Sequence, residues 1–188
     1  MAFQRGDSSA FDTLLRRWET KIKGAIYRVV GPTEDVRDLS QETFLKAYRG
    51  LHGFRKDARF SSWLYQIAIN VCRDRLRRRR HWSELSFDDL EDSSRQPQMA
   101  TPPDALDAVA ARDVSRAVEV AMGTLPPEQR EAIVLKEYEG LTFAEIAGAL
   151  GIPVSTVKTR LYRGLSHLRE QLEARGIRPA AVIAAPAP

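Results

Sequence analysis

A run of arginines, RDRLRRRR, occupies residues 73–80 and is the densest concentration of charge in the sequence. Arg73, Arg77 and Arg80 recur at helical spacing, so on a helix they would share one face. Like charges at this spacing repel one another, so the cluster indicates a use beyond helix stability. Phosphate binding is the simplest such use, and a solvated cationic helix end is the alternative.

Aromatic side chains alternate with positive charge just upstream of this run, between residues 54 and 65. Aromatic rings can stack on unpaired bases while cations follow the phosphate backbone, and each stack is worth about 1 to 3 kcal/mol. We expect Trp63 and Phe60 to pack in the core, whereas Phe54, beside a loop, is expected to stay free. The pattern predicts contact with single-stranded nucleic acid.

The titratable residues do not indicate catalysis. His52, His81 and His167 are scattered along the chain, and the acids of residues 84–92 fall in a predicted flexible stretch where no rigid metal cage is expected. The single cysteine, Cys72, excludes an internal disulfide and a cysteine-based zinc cluster. We therefore expect no enzyme activity, no catalytic residues, no metal site and no cofactor.

Charge divides the 188 residues into three parts. Residues 1–80 carry 18 basic and 9 acidic side chains, residues 81–112 carry 2 and 7, and residues 113–188 carry 9 and 9. A basic block favours a polyanionic partner. The acidic part loses helical periodicity from about residue 82 to 108, which is typical of a linker.

Three helices are predicted in the first 80 residues from the spacing of their apolar positions. The first stops at Gly31-Pro32, the second runs from Thr33, its candidate cap, to Gly53, and the third begins near Ser61 and carries the arginines. Helical periodicity resumes after the linker. No segment alternates as a strand would, so the sequence predicts an all-α fold.

The most diagnostic segment, residues 141–172, has the pattern of a helix-turn-helix. Thr142 and Glu145 match a capping box, Gly151 suits a tight turn, and Ser155 can cap the second helix. The predicted buried face of that helix comprises Val157, Leu161, Leu165, Leu168 and Leu172. Its other face carries short polar and basic side chains, which suit a reader of the DNA major groove. A plain helical hairpin with a solvated cationic face is the alternative.

Two blocks of the sequence resemble bacterial extracytoplasmic-function (ECF) sigma factors. Residues 38–78, DLSQETFLKAYRGLHGFRKDARFSSWLYQIAINVCRDRLRR, are similar to the second conserved region of that family. Residues 125–164, LPPEQREAIVLKEYEGLTFAEIAGALGIPVSTVKTRLYRG, are similar to its fourth region. The order of the blocks, their spacing and the acidic linker also match. The resemblance covers roughly residues 8–173.

The resemblance implies two small helical domains joined by a flexible acidic linker. The expected divisions are region 2 at residues 1–81, the linker at 82–108, region 4 with the helix-turn-helix at 109–175, and a disordered tail at 176–188. It also implies a transcription initiation factor without catalytic activity, which directs RNA polymerase to promoters.

The resemblance further implies which residues bind each partner. Contacts with the polymerase β′ clamp coiled coil, or support for them, would come from Asp38, Gln41, Glu42, Phe44, Leu45 and Tyr48. Contacts with melted minus-10 DNA would come from Phe54, Arg55, Lys56, Arg59, Asn70, Arg73, Arg77 and Arg80. Contacts with minus-35 duplex would come from Ser155, Thr156, Lys158, Thr159, Arg160 and Arg163. The β flap and an anti-sigma factor are the other implied partners.

Two other classes of protein compete with this interpretation. A two-component regulator could carry a similar helix-turn-helix, but its N-terminal half should alternate strands and helices. An enzyme acting on nucleic acid should cluster carboxylates or histidines. No signal peptide opens the sequence and no apolar run approaches the roughly 20 residues of a membrane helix, so we expect a protein of the bacterial cytoplasm without membrane insertion.

Overall fold

The computed structural model describes residues 8–54, 59–85 and 106–177. All regular structure in these ranges is helical, which confirms the all-α prediction and leaves no strands there for a two-component receiver domain. The α-helices are α1 (Ser8–Val30), α2 (Val36–Gly50), α3 (Phe60–Leu85), α4 (Leu106–Thr124), α5 (Pro127–Ile133), α6 (Phe143–Leu150) and α7 (Val154–Glu173). A 3-10 turn at Leu51–Gly53 follows α2, and a π-helical turn at Val134–Tyr138 follows α5.

The junction between α1 and α2 differs in detail from the prediction. Helix α1 ends as expected before Gly31, whose φ of +85° is a conformation that glycine adopts without strain. Helix α2 begins at Val36 with Asp35 as its N-cap, so the prediction that Thr33 caps it is wrong. The Thr33 hydroxyl donates to Asp35 Oδ2 at 2.9 Å and accepts from the Asp35 backbone N–H at 3.3 Å. Thr33 therefore stabilises the turn that precedes the helix.

Helix α3 carries the arginine run and extends beyond it. It begins at Phe60 and continues to Leu85, because residues 81–85 contain neither glycine nor proline to end it. Helix α4 begins at Leu106. Both helices thus reach into the predicted linker of residues 82–108. Residues 86–105, and residues 178–188 of the predicted tail, lie outside the described part of the chain.

The segment before the helix-turn-helix changes helical type. Helix α5 has Pro127 in its first turn, where the missing N–H costs no hydrogen bond. The π-helical turn follows directly, and there the Glu139 N–H donates to the Val134 carbonyl, five residues earlier, at 3.1 Å. A π turn is wider than an α turn and holds one more residue for the same hydrogen-bonded step. It sets the direction in which Tyr138 and Glu139 leave the helix.

Helices α5 and α7 cross closely at a glycine. A Cβ placed on Gly164 would lie 3.0 Å from Ile133 Cδ1 and 3.1 Å from Gln129 Cβ, both closer than ordinary contact. Gly164 is buried, and its missing side chain lets the two helices approach. The helix that carries the candidate DNA-reading face is thereby fixed against α5.

The N-terminal region (α1 to α3) and the C-terminal region (α4 to α7) pack on each other and share one hydrophobic core. Helix α3 lies against α6, and α1 lies against α5 and the π-helical turn. Fully buried side chains from both regions belong to the same cluster, among them Ile22, Ile26, Leu64, Ile69, Ile133, Leu135, Ile146 and Val157. In this structure the described helices of the two domains therefore pack directly against each other.

Arg130 joins the regions from inside this core. Its Nη1 donates to the Val29 carbonyl at 2.8 Å, and its Nη2 donates to the carbonyls of Gly123 and Leu125 at 2.7 and 3.0 Å. Burial lowers the pKa of the Arg130 guanidinium because it removes water from the charged form. Three carbonyl oxygens take the place of that water.

Candidate nucleic-acid and polymerase interfaces

The predicted capping box of the helix-turn-helix is present at the start of α6. The Thr142 N–H donates to Glu145 Oε2 at 2.8 Å, and the Glu145 N–H donates to Thr142 Oγ1 at 3.3 Å. The bond from the Thr142 backbone lowers the pKa of the Glu145 carboxyl, since it favours the charged form. Helix α6 ends at Gly151, whose φ of +66° makes the predicted turn. Both local predictions are confirmed.

The second helix of the motif, α7, begins earlier than predicted. Its N-cap is Pro153, in an extended conformation, and Val154 is the first helical residue. The prediction that Ser155 caps this helix is therefore wrong. The fixed φ of proline already suits the extended N-cap conformation, so the helix starts before the serine. Ser155 lies in the first turn instead, with its side chain exposed.

The two faces of α7 divide as the sequence predicts. Val157, Leu161 and Leu172 are buried, while Leu165 and Leu168 are partly buried against the core. On the other face, Ser155, Lys158, Thr159 and Arg163 are exposed, and Thr156 and Arg160 are half-buried. All six predicted minus-35 residues thus lie within nine positions of one helix. This face is chemically able to donate and accept hydrogen bonds at base edges and phosphates.

The arginine run of α3 separates into a half-buried part, paired with acids of other segments, and an exposed end. Arg73 donates two hydrogen bonds to Glu131, at 2.9 and 2.6 Å, and hydrogen bonding to this carboxylate raises the pKa of Arg73. Arg75 Nη2 lies 2.6 Å from Asp35 Oδ2. The four residues from Arg77 to Arg80 are all exposed. The exposed end therefore forms the basic surface that is accessible in this structure.

Asn70 lies on α3 beside this surface, and Arg77 is part of it. Asn70 is exposed, as base capture requires. Arg77 donates to Asp74 Oδ1 at 2.9 Å across one turn of the helix. The side chains of Arg77 and Asp74 are 80% and 41% exposed. The contact between them can therefore be replaced by one with water or phosphate at little cost in free energy.

The aromatic residues before α3 form a closed cluster. Phe54 is only 5% exposed, so the expectation of a free ring at this position is wrong. Its ring lies 5.8 Å from that of Phe60 and 5.0 Å from that of Trp63, and Leu51 packs beside it. Burying such a ring is worth more than leaving it exposed to water. The density of large apolar residues around this turn was the signal for a core.

The cations next to Phe54 are only partly described. Arg59 is exposed, and its Nη1 lies 2.9 Å from Glu145 Oε1 at the start of α6. Arg55 and Lys56 lie outside the described residues. Arg59 is thus the one predicted cation of this segment whose position the structure gives.

A groove between α1 and α2 coincides with the predicted polymerase surface. It has a volume of about 750 Å³, and its lining includes Phe11, Leu15, Phe44, Leu45 and Tyr48. Leu45 and Tyr48 are 49% and 45% exposed, which is unusual for such large apolar groups on one helix face. The α1 residues of this groove were not predicted, because their helical spacing indicated only a core face.

The other predicted polymerase residues lie on or near this groove. Gln41 lines it, and Phe44 is mostly buried beneath it. Asp38 is exposed on the same helix, and Glu42 Oε1 lies 2.8 Å from Lys46 Nζ. Helix α2 thus presents an apolar strip flanked by charge, which is suited to binding another helix.

No arrangement for metal chemistry occurs among the described residues, where no group of three or more histidine, cysteine, aspartate or glutamate side chains could hold an ion. Cys72 is buried, and burial raises the pKa of its thiol to about 12. None of the described helices is both long and apolar enough to cross a bilayer.

Family models match both halves of the chain in the predicted order. Residues 14–81 match sigma-70 region 2, and residues 115–168 match sigma-70 region 4. The RNA polymerase sigma-H factor of Pseudomonas aeruginosa is 35% identical over 173 residues, covering 90% of each chain. The ECF RNA polymerase sigma factor SigW of Bacillus subtilis is 34% identical over 174 residues, covering 90% of this chain and 92% of SigW.

The fold also has a counterpart among solved structures. The structure of CnrH in complex with the cytosolic domain of CnrY matches with a TM-score of 0.66 and 28% identity, covering 91% of this chain and 92% of that one. Family regions, relatives and fold agree with one another. The chain belongs to the ECF sigma factors of the sigma-70 family, which direct core RNA polymerase to promoters at the start of transcription.

Proposed function

We propose that this sigma factor reads the minus-35 element with the exposed face of α7. The proposal is carried by one observation: six polar or basic side chains of a single helix lie on a helix-turn-helix that a complete capping box and a close glycine crossing hold in place. Arg160 and Arg163 suit guanine edges, and Lys158 suits phosphate. The hydroxyl groups of the same face can contact either bases or phosphates.

We assign capture of the melted minus-10 element to α3 and the segment before it. Asn70 would recognise an extruded base through its amide, and the exposed arginines from Arg77 to Arg80 would hold the adjoining phosphates. Arg59 would contact the same strand. Because the Phe54 ring is buried, its role would be to fix the chain at the position that directly precedes Arg55 and Lys56. Base capture of this kind requires no covalent chemistry.

The groove between α1 and α2 is our candidate site for the β′ clamp coiled coil. Exposed Leu45 and Tyr48 would pack against an apolar strip of that partner, and the charges of α2 would fix its register. The β flap would bind the C-terminal region, which contains the helix-turn-helix. Under this proposal the chain has no catalytic activity of its own and acts in the bacterial cytoplasm with the polymerase, which makes the RNA.

An anti-sigma factor is the further partner that we propose. The family resemblance implies one, and CnrH was solved with the cytosolic domain of CnrY bound. A protein that covered the α1/α2 groove would prevent binding to polymerase.

Run-off transcription with purified core RNA polymerase on a library of promoters tests the proposed function. We expect transcripts that depend on this chain and that begin downstream of a shared pair of sequence motifs. Core polymerase alone provides the control. Transcripts whose starting points are unrelated to sequence, or no transcripts at all, would refute the proposal.

Removing arginines from the end of α3 should weaken promoter binding at all sequences alike. We expect Arg77→Ala with Arg80→Ala to reduce the slope of log affinity against log salt by about 0.7 to 0.9 per lost phosphate contact, because fewer counterions are released. Binding of holoenzyme to one promoter is measured across a salt series. Arg116→Ala with Arg175→Ala, which removes two exposed arginines from other segments, should leave the slope unchanged. Equal slopes for both double variants would argue against phosphate binding by α3.

Removing a base contact from α7 should instead affect one promoter element. Arg163→Ala is expected to cost about 1 to 3 kcal/mol of discrimination between a native and a scrambled minus-35 element. The ratio of holoenzyme affinities for the two promoters gives this value. Arg169→Ala is the control on the same helix, because Arg169 pairs with Glu173 at 2.7 Å outside the reading face. An unchanged ratio for Arg163→Ala would remove it from the set of reading residues.

A further inference from the structure

Trp82 is the most exposed large apolar side chain in the described part of the chain. It lies on α3 just beyond Arg80, and it is 77% exposed. The other two tryptophans of the sequence pack against aromatic rings, since Trp18 lies 6.1 Å and Trp63 lies 5.7 Å from the ring of Phe60. Contact of so large an apolar surface with water is unfavourable. Most of the Trp82 surface is therefore available to a partner.

The surroundings of Trp82 are strongly basic. Arg78 and Arg79 precede it by four and three residues, so they lie on the same side of the helix as the ring. Both arginines are exposed, and Arg78 Nε donates to the backbone carbonyl of Asp74 at 3.3 Å. An exposed ring among cations is an arrangement with which proteins hold unpaired bases, because every base has a face on which a ring can stack. The surroundings of Trp82 therefore favour nucleic acid as its partner.

Other uses of an exposed tryptophan fit this end of α3 less well. A single exposed apolar side chain is common on protein surfaces and by itself indicates no partner. Trp82, however, directly extends the basic surface that we assign to promoter phosphates. A helix that binds a membrane surface needs an apolar face. Among positions 77–82 Trp82 is the only apolar residue, because the other five are four arginines and a histidine.

The position of Trp82 along α3 indicates which part of the promoter it meets. Asn70 and Trp82 are 12 residues apart in sequence. At about 1.5 Å per residue this separation is about 18 Å along the helix, or about five nucleotides at about 3.4 Å each. The C-terminal region, which would read the minus-35 element, follows α3 in the chain. Trp82 would therefore meet DNA upstream of the base that Asn70 binds, where melted strand joins duplex.

We propose that Trp82 stacks on a base at the upstream edge of the melted minus-10 segment and thereby stabilises the opened promoter. The inference rests on the proposed function, because it takes α3 to bind melted minus-10 DNA. Opening the duplex costs the first unpaired base its stack on a neighbouring base, and the indole ring replaces that stack. Arg78 and Arg79 hold the adjoining phosphates. Because stacking tolerates any base, Trp82 adds affinity without adding to the sequence that Asn70 reads.

Two substitutions of Trp82 test whether the ring stacks. Trp82→Leu keeps an apolar side chain but removes the ring, whereas Trp82→Phe keeps an aromatic ring. Holoenzyme affinity is measured for a promoter fork with duplex minus-35 and single-stranded minus-10 segments. We expect Trp82→Leu to bind at least about fivefold more weakly than the wild type and Trp82→Phe to remain within about twofold of it. Equal affinity of the leucine variant and the wild type would overturn the proposal.

Removing bases from the DNA locates the contact and separates stacking from a structural role of Trp82. An abasic site is placed at one nucleotide at a time along the upstream edge of the melted segment. We expect one of these sites to weaken wild-type holoenzyme by about fivefold and to leave the Trp82→Leu holoenzyme unchanged, because that variant has already lost the stack. If every abasic site affects both holoenzymes by the same factor, the ring contacts no base and the proposal is wrong.

The remaining outcomes distinguish this inference from the proposed function. Wild-type holoenzyme that binds the promoter fork and a scrambled fork equally would overturn the proposed function and the inference with it. Weaker binding of Trp82→Leu to core polymerase without DNA would assign the ring to a protein contact. Weaker binding of the free variant to phosphatidylglycerol vesicles, with unchanged fork affinity, would assign it to a membrane surface. Either of these last two results would overturn base stacking and leave the proposed function intact.

Discussion

Replacing Arg130 with methionine is expected to lower the free energy of unfolding by about 3 kcal/mol. The variant keeps an apolar stem of similar length but removes all three hydrogen bonds to the carbonyls of Val29, Gly123 and Leu125. Hydrogen bonds from a charged donor are worth more than neutral ones, and the buried carbonyls of Val29 and Leu125 would lose this donor. The desolvation of the guanidinium, whose Nε has no partner, offsets part of this gain in the native protein.

Chemical denaturation of the full chain measures this effect. Arg130→Lys is the matched variant, since it keeps the charge but offers a compact ammonium group that cannot reach all three carbonyls at once. We expect it to recover only part of the lost stability. If the methionine variant is as stable as the wild type, the desolvation cost has cancelled the hydrogen bonds, and Arg130 does not stabilise the junction of the two regions.

Replacing Gly164 with valine is expected to cost about 3 kcal/mol, near the upper end for overpacking in a buried site. A single Cβ already comes within 3.0 Å of Ile133 and 3.1 Å of Gln129, and valine adds two methyl groups beyond it. Helix α5 would have to move away from α7, because the Gln129 backbone carbonyl also lies only 3.4 Å from that Cβ. The reading face of α7 would shift with it.

Gly148 offers a matched control within the same motif. A Cβ on Gly148 of α6 would meet nothing within 4 Å. We expect Gly148→Val to change stability by no more than about 0.5 kcal/mol, as is usual for exposed substitutions. Thermal unfolding of both variants by circular dichroism makes the comparison. Equal losses would show that the effect at Gly164 does not come from the crossing of α5 and α7.

The features that the sequence predicted well depend on neighbours along the chain. The capping box joins residues three apart, and the Gly151 turn depends on one residue and its φ angle. The faces of α7 follow from helical periodicity. The errors at Thr33 and Ser155 were also local, because Asp35 and Pro153 could each serve as the N-cap and the pattern alone did not choose between the competing positions.

The remaining features depend on contacts between distant residues. Arg73 and Glu131 are 58 positions apart, and Tyr65 and Glu139 are 74 apart. No periodicity within either region indicates that these groups meet. The burial of Phe54 was in principle accessible from the nearby Leu51, Phe60 and Trp63, but whether such residues close on one another or remain open for a base depends on the packing of α1 and α3. Sequence patterns thus predicted local structure better than contacts between distant residues.

The π-helical turn after α5 makes the length of this segment critical. Successive residues of a helix are rotated by about 100°, so a deletion of one residue between Val134 and Tyr138 would turn everything after it around the helix axis. Tyr138 would leave the Arg28 guanidinium, and Glu139 would leave the Tyr65 hydroxyl. A substitution here would alter the contacts of one side chain, whereas a change of length would alter those of every side chain that follows. Among homologues whose helices pack in the same way, this segment should therefore accept substitutions far more readily than insertions or deletions.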